Sequence, residues 1–162
     1  MCIEMMAISK PELRTLSNYN GEQLNYYDTG NSYATINIIL MIPPEFKKNK
    51  IIRMLSNLTA DIRVIAPIHR EERKIKTSAH ENYTAKQLGL AIEIAEKIFS
   101  TPVHIISSIP EGQAALKLND LRPDLAASLA VAYKTYLTQE KYIENQIQCI
   151  KETNQAKRTA VL

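Results

Sequence analysis

Three short apolar runs, separated by stretches with helical spacing, constrain this chain more than any other feature of it. Residues 33–42 (YATINIILMI), 61–68 (DIRVIAPI) and 101–109 (TPVHIISSI) are rich in β-branched side chains and nearly continuous in hydrophobicity, which suits strands covered on both faces. Between the first two, Pro44 and Glu45 fit a first helical turn, and Ile51, Leu55 and Leu58 recur at i, i+4 and i+7. Between the second and third, Thr84 as N-cap with Gln87 forms a capping box, Tyr83 against Leu88 supplies a staple, and Leu88, Ile92, Ala95 and Phe99 share a face. This alternation predicts an α/β fold: a small, mostly parallel three-stranded (or mixed) sheet with flanking helices and a long C-terminal helix. The 162 residues suffice for one core without disulfides or metals. Hydrophobic and charged fractions of 45% and 23% exclude collagen-like, disordered and disulfide-scaffold chains.

Four segments are expected. Residues 1–32 read as an N-terminal arm and polar loop: Ser9 and Glu12 form a capping box for a short helix through Ser17, and Gly21, Gly30 and several Asn and Asp follow. Tyr19, Tyr26, Tyr27 and Tyr33 there are either packed lids at the core edge or a stacking surface for a ligand. Residues 33–119 form the α/β body. Residues 120–155 read as one helix, because Asp120 is a good N-cap, Pro123 is tolerated in the first turn, and neither Gly nor Pro occurs afterwards. Such a helix spans roughly 51 Å, against a body diameter near ~40 Å. Its apolar seam narrows to Tyr136, Ile143 and Ile150, which predicts a partner helix or a homo-dimer, with packing on the chain's own sheet as the alternative. Residues 156–162 read as a flexible tail.

Charge is uneven. Between Lys47 and Lys76 there are nine bases against three acids, a concentration that favours a phosphate-bearing or polyanionic ligand. Nucleic acid is the weaker expectation, since no RNP, KH or helix-turn-helix pattern accompanies the basic window. The longest apolar run, residues 38–42, is far short of the ~20 residues that cross a bilayer, so no membrane partner is expected. Cys2 and Cys149 match no disulfide, CxxC or metal spacing, and the N-terminus has no basic region before an apolar one. A cytoplasmic location follows as the expectation, with export by a signal-less route left open.

In a parallel sheet, ligands sit beyond the carboxyl ends of the strands. Those positions carry Pro43 and Pro44 after the first run, His69 with Arg70, Arg73, Lys74 and Lys76 after the second, and Ser107, Ser108, Glu111 and Gly112 after the third. Guanidinium forks suit phosphate or carboxylate, so Arg70, Arg73, Lys74 and Lys76 are the candidate anion site. His69, His104 and Ser107 are the catalytic candidates. No GxGxxG, GxxxxGK[ST] or GxSxG occurs, His80 and Glu81 lack the second histidine of HExxH, and no metal site or cofactor is implied. With no complete catalytic constellation and a helix that outgrows the body, the leading reading is a non-enzymatic binding or adaptor protein. The alternative is a small α/β enzyme or sensor acting on a phosphate-bearing, nucleotide-like ligand.

Overall fold

The computed structural model describes residues 11–17, 23–41, 48–56, 58, 61–68, 93–94, 96–99, 102–107, 112–131 and 139–161. Six strands, β1 (Glu12–Ser17), β2 (Gln23–Asp28), β3 (Ile36–Met41), β4 (Ile62–Ile68), β5 (Val103–Ser107) and β6 (Ala126–Val131), form one sheet in the order β1-β2-β4-β3-β5-β6. The helices are α1 (Lys48–Ser56), α2 (Gly112–Leu121) and α3 (Gln139–Val161). From β4 to β6 the pairing is parallel, whereas β1 with β2 and β2 with β4 are antiparallel.

The three central strands lie where the apolar runs predicted them, and they are buried because alternate side chains enter two separate clusters. One face of the sheet gathers Tyr26, Ile39, Met41, Ile65, Val103 and Ile105 with Ala115 of α2 and with Ile94 and Phe99, which precede β5. The other gathers Tyr27, Ile38, Leu40, Val64 and Ile106 under α1 and α3. Helices on both faces explain why Ile36–Met41 reads as a continuous apolar run rather than an alternating one.

The sheet has six strands, not three, and each additional strand corrects an expectation. Residues 12–17 are strand, not helix: Glu12, Arg14 and Leu16 pair in register with Asp28, Tyr26 and Leu24, and this hairpin outweighs the capping-box signal at Ser9 and Glu12. Residues 23–28, read as loop, form β2, whose Tyr26 and Tyr27 enter the two opposite cores. Tyr33 is 90% exposed, and Tyr19 lies outside the described residues. Pro67 pairs with Tyr26 as the penultimate residue of an interior strand, where a missing donor matters least.

The long C-terminal helix from Leu121 is also corrected. Helix α2 ends at Leu121, a turn with Leu125 N–H donating to the Arg122 carbonyl follows, and Ala126–Val131 pairs with β5. Alanine-rich sequence favours helix intrinsically, but strand pairing overrides so weak a preference. Helix α3 begins only at Gln139 and continues to Val161, into the stretch expected to be a tail. Its Ile143, Ile147 and Ile150 are buried against the chain's own sheet. The narrow seam is therefore the stripe with which α3 covers one face, and Tyr136 lies outside the described residues.

Candidate functional site at the carboxyl edge of the sheet

The chain leaves β3 for β4 on one side and later enters β5 on the other. The β3–β5 pair is thus a topological switch point, where connections diverge, the place at which open α/β sheets bind their ligands. Met41 and Ser107 close it: they are register partners and the last residues of their strands. Ser107 is fully buried and also pairs with Val131, the last residue of β6. Beyond β5, residues 108–111 connect to α2, which starts at Gly112. By sequence this connection carries the hydroxyl of Ser108 and the carboxylate of Glu111. After β3 the chain runs into Pro43 and Pro44, which bring no N–H, so amide donors there come from Ile42 or from Glu45 onward. Residues 42–47 and 108–111 lie outside the described residues.

The catalytic candidates do not converge. His104 is the second residue of β5, three residues and about 10 Å from its carboxyl end. Its side chain shares the face of Ile106, whereas Ser107 shares that of Val103 and Ile105. His104 Nδ1 and Ser128 Oγ of β6 are 2.6 Å apart, so the imidazole is engaged across the sheet rather than at the rim. His69, Arg70, Arg73, Lys74 and Lys76 lie outside the described residues; β4 ends at Ile68, directly before them. Ile143 and Ile150, expected at an interface, belong to the core as described above.

A second polar centre was missed in the sequence. Asp28, buried at the end of β2, accepts from Arg63 Nε at 3.1 Å and from the second arm of the fork at 2.8 Å. The Gly30 amide donates to the same carboxylate at 2.7 Å, and Arg14 stands 3.5 Å away. Burial alone would push this carboxyl up, but the Arg63 fork, the Gly30 amide and the charges of Arg63 and Arg14 outweigh it and hold it below the ordinary value. The Arg63 guanidinium also lies over the Phe99 ring, 5.5 Å from its centroid. Arg63 is the second residue of β4, at the sheet edge opposite to the switch point, so this cluster fastens the antiparallel hairpin to the parallel strands and is remote from the strands' carboxyl ends. Only the pairing of β2 with β4 brings Asp28 to Arg63, 35 residues apart, and no local signal announces it. A pocket of about 230 Å³ also opens between α1, α3 and the start of β4, floored by Met54, Ile62 and Ile147 with Glu144 and Lys151 as charged neighbours. Among the described residues, no group of three or more His, Cys, Asp or Glu could hold a metal ion, and no helix is long and apolar enough to cross a membrane.

No protein-family model and no curated protein matches the chain. Solved structures do. An epoxide hydrolase from Vigna radiata aligns with TM-score 0.59 at 12% identity, covering 79% of this chain and 39% of its own. An epoxide hydrolase from an endophytic Streptomyces gives 0.59 at 15%, covering 76% and 37%. A bacterial membrane phospholipase A described as a virulence factor gives 0.57 at 15%, covering 75% and 39%. The chain spans about two fifths of the length of these neighbours. In such α/β-hydrolase folds the nucleophile sits on the sharp turn from strand to helix, as G-x-S-x-G, with the acid and then the histidine following in sequence. Here residues 108–111 join β5 to α2; the sequence 107–112 (SSIPEG) departs from that pattern, and the three histidines, at 69, 80 and 104, all precede Ser107. The expectation of a non-enzymatic adaptor is overturned by these findings, since the helix that carried it is interrupted by β6 and the proteins sharing the fold are hydrolases. At these identities the likeness establishes one thing: the described residues form the sheet of an α/β-hydrolase fold.

Proposed function

We propose that the chain carries the reacting edge of a small hydrolase that cleaves an ester bearing a phosphate or other anionic group. The observation behind this reading is the switch point closed by Met41 and Ser107, from which a short connection leads into α2. Ser108, the first residue of that connection, supplies the nucleophilic hydroxyl. His69, next after β4 at the same carboxyl edge, supplies the base. Arg70, Arg73, Lys74 and Lys76 supply the positive charge that holds the anionic part of the substrate. Ser108 attacks the ester carbonyl and its proton passes to His69; the alcohol leaves with that proton, and water then releases the acid.

The test is steady-state hydrolysis of a neutral p-nitrophenyl ester beside a phosphate-bearing ester. Ser108→Ala abolishes turnover of both, and His69→Gln lowers it by about 10² to 10⁴. Arg70→Ala with Arg73→Ala raises KM for the phosphate-bearing ester alone. An intact chain without turnover, or a Ser108→Ala variant with full turnover, overturns the reading.

A further inference from the structure

The contact between His104 and Ser128 is not needed to hold two strands that already share a ladder from Val103 to Ser107. Its geometry is that of a nucleophile beside a base: Ser128 Oγ lies 2.6 Å from His104 Nδ1, within the reach general-base catalysis requires. Ser128 is exposed and His104 half-buried, so a reagent meets the hydroxyl while the ring stays packed.

The local backbone adds a second observation. Val103 pairs with Ala126 and His104 with Ser128, so two residues of β6 oppose one of β5 and Ala127 falls out of register. Such a bulge leaves the extra residue unpaired within that ladder and re-aims the side chain beside it. Ala127 directly precedes Ser128. Ala127 before it and Ala130 two residues on present only small side chains beside the serine, which suits a small acyl group and gives little grip on a large one.

We infer that Ser128 and His104 form an acyl-accepting dyad distinct from the carboxyl edge of the sheet, taking small acyl groups from activated esters. Ser128 Oγ forms a bond to the acyl carbon, its proton moves to His104 Nδ1, and the bond from that carbon to the leaving alkoxide or phenoxide breaks. The neutral imidazole must carry its own proton on Nε2 for Nδ1 to accept. The dyad does not depend on the function proposed for residues 107–112.

The experiment treats the whole chain with p-nitrophenyl acetate, quenches in acid and locates the acetyl group by peptide mass after trypsin. Ser128 is the only serine in residues 118–134, whereas Ser107 and Ser108 fall in residues 98–117, so the two sites separate. Acetyl is expected on 118–134, is lost in Ser128→Ala, persists in Ser108→Ala, and forms about a hundredfold more slowly in His104→Gln. Folding of each variant is checked by its melting curve, and Ser128→Ala changes only an exposed hydroxyl. Should His104→Gln misfold, His104→Asn serves in its place. Acetyl on 98–117 alone, or an unchanged rate without the imidazole in a folded variant, overturns the dyad. Failure of the hydrolase reading would instead appear as absent steady-state turnover with 118–134 still acetylated.

Discussion

Met41 and Ser107 stand opposite each other at the last rung shared by β3 and β5. That rung forms the floor of the switch point, at the carboxyl edge of the sheet. Ser107 is buried between Met41 and Val131, its register partners on either side, so its hydroxyl is part of the floor and not a group offered to a substrate. Ser107→Ala is expected to keep ester turnover and to lose roughly 1 kcal/mol of stability, the usual net worth of a buried hydrogen bond. Ser107→Leu overfills the floor and costs about 1–3 kcal/mol. Melting curves and steady-state rates for both variants check this; an inactive but fully folded Ser107→Ala would transfer the nucleophile's role from Ser108 to Ser107.

The Asp28 carboxylate gives the fold an acid limit. Its folded value is lowered relative to the unfolded one by Arg63, Gly30 and Arg14 despite its burial. Its stabilisation is therefore fully present above the unfolded carboxylate value near ~3.9 and is lost as pH falls through the lower folded one. Asp28→Asn should remove this dependence and destabilise by about 3 kcal/mol at neutral pH, because Arg63 keeps a half-buried charge without its carboxylate. Urea titrations at pH values on both sides of that range measure it. An Asp28→Asn curve parallel to that of the intact chain in acid would refute the linkage.

How far the sequence reveals this arrangement depends on whether a signal is local. Ile36–Met41, Ile62–Ile68 and Val103–Ser107 announce themselves, since a strand buried on two faces has only apolar residues to offer. Glu12–Ser17 and Ala126–Val131 do not: one begins within a capping box, the other is half alanine, and both become strands only because a neighbour is present to pair with. The carboxyl edge could be anticipated from strand ends, but the switch point needed the strand order. His104 and Ser128, 24 residues apart, meet only because β5 and β6 are adjacent. The seam of Ile143 and Ile150 shows the converse, a pattern visible in the sequence that fits either a partner helix or the chain's own sheet, and whose burial in the second core favours the sheet.

That stripe carries its own expectation. Ile143 is fully buried under the sheet beside Ile106 and Leu55. Ile143→Ala is expected to cost about 2–5 kcal/mol through lost burial and the cavity left behind, which for a chain of this length lowers the melting temperature by about 2–4 °C per kcal/mol. Sedimentation of the variant should match that of the intact chain. A dissociating dimer with unchanged melting would return this residue to an interface.

Gly30 offers the cleanest separation of backbone from side-chain effects. Its φ of 78° lies in the left-handed region, which a Cβ disfavours by about 1–2 kcal/mol, and its amide completes the shell around Asp28. A Cβ placed there would meet Arg14 Nη2 at 3.6 Å, an ordinary contact, so crowding contributes little and the cost is conformational. Gly30→Ala should therefore destabilise by about 1 kcal/mol. Gly30→Asn should cost less, since asparagine tolerates this region, and Gly30→Val more, since a β-branched side chain tolerates it worst. Urea unfolding of the three variants gives the order directly. If valine proved no worse than alanine, the strain would not reside in the backbone at residue 30, and the turn that delivers its amide to Asp28 would have to relax without loss.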